Sequence, residues 1–299
     1  MAMNLRQFIS CVEKFCPPRL ALLGDLVGIQ VGPRDPAIQD KTRIRKCAIA
    51  VDAGPQVILK AVSGGANILL CYHGILSNPT ASITDELFEK ARLLIENRLL
   101  LYVVHTSWLS AECGVNDTLA DVLGLTVTEP LNLEQEGKET PIGRVCNFTG
   151  HHEKESRKDG DDVQLSDFIE RVVERLRSTD VAYTGSLHAS VKKVVVLAGD
   201  YGVADLLRLS KNKGVDTCLA GSISRDVATL SIELGMNYVY ANQHAIEELG
   251  MRRLAQLLGI DAPEIEFLFI QSQTPWKTYA YPHSLTGKDD KESKQGDNQ

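Results

Sequence analysis

The first half of the chain alternates short, continuous apolar runs with segments of helical periodicity. An N-terminal helix is predicted at residues 4–16, with Asn4 as its N-cap. The same reading predicts strands at 45–51, 66–72 and 99–104, and helices at 55–63, 85–97 and 114–123. Strands that are apolar throughout are typical of largely parallel sheets covered on both faces. This half is therefore expected to form an α/β lobe.

The second half repeats the alternation. It predicts strands at 193–198, 215–220 and 236–241, and helices at 203–211, 223–234 and 244–258. Two similar segments, GVNDTLADVLG at 114–124 and GMRRLAQLLG at 250–259, each follow the third strand of their half. We interpret the repeat as an internal duplication that gives two similar three-layer α/β/α lobes with mixed, largely parallel sheets. Any two βαβ arrays share this rhythm, so two unrelated lobes remain an alternative.

The expected domain boundaries follow from breaks in the pattern. We place the first lobe at 1–126, the second at 127–283 and a disordered tail at 284–299, because the final stretch TGKDDKESKQGDNQ has no apolar residue to bury. The charged segment 151–162 is predicted to be a solvated loop. An amphipathic helix follows it in LSDFIERVVERLRS, with Ser166 as the expected N-cap.

The amino-acid composition indicates an ordinary globular protein and argues against several other classes. Hydrophobic residues make up 43% and charged residues 24%, as in ordinary globular proteins, and no apolar run approaches the roughly 20 residues of a membrane span. The start, MAMNLRQFIS, does not resemble a signal peptide, so a cytoplasmic location is expected. The seven cysteines are scattered and are expected to be reduced. A net charge of −7 argues against a nucleic-acid binder.

Three polar side chains lie where a site is expected in such folds. Ligands of open α/β sheets gather beyond the carboxyl ends of the strands, and His73, His105 and Glu247 fall at such ends. Two imidazoles and a carboxylate can bind Zn²⁺, Mn²⁺ or Fe²⁺. Each residue also has a purely structural interpretation, as a hydrogen-bonded strand-end histidine or as a favourable charge near a helix N-terminus.

Several common catalytic classes lack their motifs. Neither the phosphate-binding pattern G-x-x-x-x-G-K-[ST] nor G-x-G-x-x-G occurs, which argues against a conventional nucleotide-binding fold. The serine-hydrolase pattern G-x-S-x-G is also absent.

Five segments nevertheless resemble one family. They occur in the family's order across residues 4–275 and are FCPPRLALLGDLVGIQVGP, AIAVDAGPQVILKAVSGGANILLCYHGIL, LLLYVVHTSWLSAECGVNDTLADVLGL, PIGRV and ELGMNYVYANQHAIEELGMRRLAQLLG. On these residues the chain is identified as a divergent member of the NIF-three-like dinuclear metal centre family, whose bacterial members are called type 2 GTP cyclohydrolase I homologues.

The resemblance implies two α/β lobes with a two-metal site in the cleft between them, assembled as a toroidal homohexamer. Where the family has His-His, Asp and His as ligands, this chain has Tyr72-His73, Leu109 and Gln243, although Glu247 is in place. Losing the carboxylate at Leu109 argues against a pair of cations, which repel each other strongly unless carboxylates separate them. The expected site is thus degenerate, with one divalent cation or none.

Two functions follow from this interpretation. The first is a metal-dependent hydrolase of a small molecule or nucleotide, with His73, His105 and Glu247 holding the ion and His244 as a base. The second is a non-catalytic oligomeric scaffold or regulatory protein that has lost the site. Leu109 and Gln243 favour the second function, whereas the three remaining ligand-type residues favour residual metal binding.

Overall fold

The computed structural model describes residues 3–148, 163–178 and 181–272. Its helices are α1 (Leu5–Phe15), α2 (Pro36–Lys41), α3 (Pro55–Ser63), α4 (Asp85–Glu96), α5 (His105–Ser110), α6 (Val115–Val122), α7 (Leu165–Leu176), α8 (Val203–Asn212), α9 (Arg225–Glu233) and α10 (Gln243–Asp261). Its strands are β1 (Met3–Asn4), β2 (Gly28–Val31), β3 (Arg43–Ile44), β4 (Lys46–Asp52), β5 (Ile68–His73), β6 (Leu100–Val103), β7 (Leu125–Gln135), β8 (Lys138–Phe148), β9 (Val163–Gln164), β10 (Val181–Thr184), β11 (Ser190–Val191), β12 (Lys193–Leu197), β13 (Thr217–Ala220), β14 (Asn237–Ala241) and β15 (Glu266–Phe269).

Two mixed sheets form the centre of the α/β fold. The first has the order β15-β4-β5-β6-β2, and only β2 runs antiparallel to its neighbour. The second has the order β10-β14-β13-β12-β8-β7, with β12, β13 and β14 parallel and the other pairings antiparallel. Both parallel βαβαβ units predicted from the apolar runs are confirmed. The long hairpin β7–β8 and the strand β15 were not predicted.

The same order of elements occurs in both halves. In each half, a short strand is followed by a helix (α1 and α7). Next comes an antiparallel edge strand (β2 and β10), and after it the parallel strands with their crossover helices. This shared order agrees with the interpretation of an internal duplication. The chain also returns to the first sheet at its end, where β15 pairs with β4.

The N-terminal helices of both halves begin with a capping box. Asn4 caps α1 as predicted, since its Oδ1 accepts the Gln7 N–H at 2.8 Å and its own N–H bonds to the Gln7 side chain at 3.0 Å. The prediction of Ser166 as the cap of α7 is wrong, because the helix begins at Leu165 and Gln164 is the N-cap. There the Ser166 N–H bonds to the Leu187 carbonyl at 3.0 Å.

Some expectations fall on residues outside the described ranges. The charged segment 151–162 and the tail 284–299 are among them. Among the helices that are described, none combines the length and the apolar character needed to cross a membrane.

A buried asparagine on α6 ties together three separate segments. The Asn116 side chain is fully buried, and its amide donates to the Leu109 carbonyl at 3.0 Å and to the Ile142 carbonyl at 2.8 Å. Its Oδ1 accepts the Ala198 N–H at 2.9 Å. The α5 end, strand β8 and the loop after β12 therefore share one hydrogen-bonding centre.

A buried arginine completes this polar junction, which we define as Asn116, Asp117 and Arg144. Arg144 on β8 forms an ion pair with Asp117, and its guanidinium donates to the carbonyls of Ser110 at 2.8 Å and Ala111 at 2.9 Å. It also donates to the carbonyls at Pro141 and Gly143 of its own strand. The charge is thus fully hydrogen-bonded, which a buried guanidinium requires.

Replacing Asn116 by alanine is expected to destabilise the protein by about 2–4 kcal/mol, because buried backbone groups lose their partner. Urea unfolding followed by circular dichroism measures the change. Asn132→Ala is the control, since the Asn132 side chain bonds to Glu139 at an exposed position. Equal losses for the two variants would contradict the role of the junction.

Candidate functional site

A cleft of about 360 Å³ lies between the two sheets, at the carboxyl ends of the parallel strands. His73 at the end of β5 and His105 after β6 line it from the first sheet. Glu247 on α10 and Asp200 and Tyr201 in the loop after β12 line it from the second. The three residues predicted from strand ends therefore lie in one cleft.

His73 and Glu247 form a direct pair. His73 Nε2 lies 3.0 Å from Glu247 Oε1, and the same oxygen accepts the Gln243 side-chain amide at 2.8 Å. Glu247 is buried, so its charge depends on these partners. Burial alone would lower the pKa of His73, but Glu247, Asp52 and Asp200 together raise it above its ordinary value.

His105 is held between two other side chains. Its Nδ1 lies 2.8 Å from Asp25 Oδ1, and its Nε2 lies 3.3 Å from the Tyr201 hydroxyl. Asp25 also accepts hydrogen bonds from the Thr106 N–H at 3.1 Å and from the Thr106 hydroxyl. Burial raises the pKa of Asp25, but the bonds from His105 and Thr106 outweigh it and lower the pKa. Asp25 is therefore a carboxylate, so Nδ1 of His105 is the donor in the hydrogen bond between them.

The two histidine rings are neighbours, with centroids 5.1 Å apart. Both nitrogens of His105 nevertheless have hydrogen-bonding partners, and His73 Nε2 faces Glu247. Within the ranges that the structure describes, no group of three or more His, Cys, Asp or Glu side chains is arranged to hold a metal ion.

Leu109 is the residue that most clearly distinguishes the cleft from a two-metal site. Its side chain is buried, and a Cβ added to Gly199 would lie 2.9 Å from Leu109 Cδ2. An apolar group thus packs against the loop after β12 where the family resemblance implies a carboxylate. With Gln243 hydrogen-bonded to Glu247 as well, the residues present do not fit a pair of divalent cations.

His244 lies outside the cleft. It is buried, with Nε2 3.2 Å from the Ser272 carbonyl oxygen and Nδ1 3.8 Å from Asp52 Oδ2. Only Gln243 of this pair lines the cleft, so His244 does not take the place of the family's histidine at that position.

Three lining residues were not predicted: Asp25, Asp200 and Tyr201. Asp200 and Tyr201 follow β12, so the strand-end rule that identified His73 applies to them too. Asp25 lies in an irregular stretch before β2, and no local pattern indicates its contact with His105.

The His73–Glu247 pair should appear in a histidine titration. The raised pKa of His73 means that its pairing with Glu247 stabilises the folded protein at pH values below the ordinary histidine pKa of about 6.5. This stabilisation is lost as the pH rises through the pKa that His73 has in the folded protein. NMR titration of the His73 ring should give a midpoint above that value, and a lower one in Glu247→Gln. Glu248→Gln, on the same helix, is the control, and an unchanged midpoint in Glu247→Gln would contradict the assignment.

Comparisons with known proteins agree with the fold and with the segments identified above. A sequence model of the family Duf34/NIF3 (NGG1p interacting factor 3) matches residues 3–275. A GTP cyclohydrolase 1 type 2 homolog from Methanocaldococcus jannaschii is 28% identical over 257 residues, which cover 86% of this chain and 95% of that protein. Reduced HcgD from the same organism matches with a TM-score of 0.74 at 27% identity, covering 91% of this chain and 99% of the other. A Bacillus cereus protein related to NIF3 has the same fold, with a TM-score of 0.76 at 20% identity, covering 93% and 100% of the two chains. The chain belongs to the Duf34/NIF3 family.

Proposed function

We propose that this protein is a ligand-binding member of its family without two-metal hydrolytic activity, and that its cleft holds at most one divalent cation. The observation that carries the proposal is the buried contact of Leu109 with Gly199, at the position where the family resemblance implies a metal-binding carboxylate. Two cations a few ångströms apart repel strongly, and only anionic ligands between them make such a site stable.

The pairing of the polar side chains supports the same proposal. The side chains of Asp25, His105 and Tyr201 are hydrogen-bonded to one another. The side chains of His73, Glu247 and Gln243 form a second hydrogen-bonded group, and neither group needs an ion for these bonds. A cation entering the cleft would have to replace several of these hydrogen bonds. His73 and Glu247 offer two donors close together, and His105 becomes a third only by giving up Tyr201 or Asp25. Weak binding of one Zn²⁺, Fe²⁺ or Mn²⁺ is therefore the most that we propose.

Several relatives carry the name GTP cyclohydrolase 1 type 2 homolog. We do not extend a hydrolytic activity to this chain, because hydrolysis of that kind would need a metal-activated water, and among the described residues no group of three His, Cys, Asp or Glu side chains is arranged to hold such an ion firmly. The retained fold is better suited to binding a small molecule at the strand ends, where α/β proteins bind their ligands.

Metal analysis of untagged protein tests the proposal. After incubation with Zn²⁺ or Mn²⁺ and desalting, we expect clearly less than one ion per chain, and less still in His73→Ala and Glu247→Ala. No GTP hydrolysis is expected above a metal-only blank. Two ions per chain that disappear in both variants, together with turnover of GTP, would contradict the proposal.

A reconstruction variant tests the role of Leu109 separately. Leu109→Asp combined with Gln243→His restores the anionic and imidazole donors of the family pattern, so it should retain more metal than the wild type. Leu109→Asn with Gln243→His is the matched control, because it has the same shape without the charge. Circular dichroism checks that both variants fold, and equal metal content in both would argue against the loss of the carboxylate as the cause.

We also propose, from the family resemblance, that the protein assembles as a homohexamer. Light scattering after size-exclusion chromatography should then give six times the 32.8 kDa mass of the chain. A monomeric mass at micromolar concentration would contradict this assembly.

A further inference from the structure

We infer that the cleft binds a small organic cation, carried on a primary ammonium or guanidinium group. The inference rests on the proposed function, since two metal ions in the cleft would neutralise the negative charge that attracts such a ligand. Three features of the cleft support it: its charge, its aromatic wall and one tyrosine hydroxyl that opens on the cleft.

The charge of the cleft is negative. Asp25, Asp200 and Glu247 line it, and none of its lining residues is a lysine or an arginine. Even with both lining histidines protonated, one negative charge would remain. A concave acidic site attracts cations and repels polyanions such as a nucleotide triphosphate that arrives without metal ions.

Asp200 is the acidic group that is still available. Asp25 and Glu247 already accept hydrogen bonds from His105, His73 and Gln243. Asp200, by contrast, has no hydrogen bond or ion pair within the part of the chain that the structure describes, and its side chain is exposed at the mouth of the cleft. A ligand cation would supply the missing partner through a charge-assisted hydrogen bond.

One wall of the cleft is a row of four aromatic rings. Tyr72 contacts His73 at 4.9 Å and His105 at 5.3 Å between ring centroids, and His105 contacts Tyr201 at 5.9 Å. Tyrosine faces attract ammonium and guanidinium groups through the ring quadrupole, and more strongly so in a partly desolvated site.

The Tyr72 hydroxyl is the third feature. Tyr72 is 2% exposed and lines the cleft, and the described residues give its hydroxyl no hydrogen-bonding partner. The buried side-chain oxygens without a partner among the described residues are those of Ser110 and Thr140, so the Tyr72 hydroxyl is open to the cleft, where it can accept an N–H of a bound cation.

The size of the cleft limits the ligand. Its volume of about 360 Å³ lies at the lower end of the range of small-molecule sites. A diamine or an aminoalkyl guanidine fits such a volume. The two kinds of head group share the same chemistry, so the experiment includes one of each.

Calorimetric titration in EDTA tests the inference with putrescine and agmatine as probes and 1-butanol as a neutral control. Both amines should bind saturably at one site per chain, and 1-butanol should not bind. We expect Asp200→Asn to weaken binding about tenfold and Tyr72→Phe about threefold, as loss of a charge-assisted and of a neutral hydrogen bond predicts. Asp205→Asn, which removes an exposed acid on α8 outside the cleft, should bind like the wild type.

Three results would overturn the inference: no binding of either amine, equal weakening by Asp200→Asn and Asp205→Asn, or tighter binding of GTP than of the amines in EDTA. Failure of the inference is distinguishable from failure of the proposed function. Low metal content without amine binding rejects the organic cation alone, whereas two tightly bound metal ions per chain reject the proposed function.

Discussion

The geometry of the cleft depends on the buried polar junction of Asn116, Asp117 and Arg144. Asn116 bonds to the carbonyl of Leu109 and to the N–H of Ala198, so it holds Leu109 itself and the residue that precedes Gly199. Arg144 bonds to the carbonyls at the end of α5 and thereby holds the same segment from the other side. The junction therefore determines that an apolar side chain, and no solvent, meets the loop after β12.

The cleft contains two pairs, each formed by a carboxylate and a histidine. Each buried carboxylate has a histidine beside it, Asp25 with His105 and Glu247 with His73. These pairs let acidic groups remain buried without a metal ion, since hydrogen bonds to a carboxylate offset its desolvation. Asp200 and the Tyr72 hydroxyl are the groups that this pairing leaves for a ligand.

Much of the fold could be predicted from sequence because the parallel strands are continuously apolar. The helix-cap residue Asn4 was also predictable, since its capping box is local. Strand β7 was missed because it is interrupted by Pro130 and by two register shifts, which destroy the alternation of an ordinary edge strand. Strand β15 has four residues and pairs with β4, far away in sequence, so no local pattern indicates it.

Prediction of the candidate site from the sequence meets the same limit. The strand-end rule found His73 and His105, but the partner of each is distant in sequence: Glu247 for His73 and Asp25 for His105. Sequence could place the residue types near one edge of a sheet, whereas their pairing required the coordinates. The most direct measurement of the central claim is anomalous X-ray diffraction from crystals soaked in Zn²⁺. The account predicts at most one anomalous peak, between His73 and Glu247, and none beside Leu109. Two peaks a few ångströms apart in the cleft would contradict it.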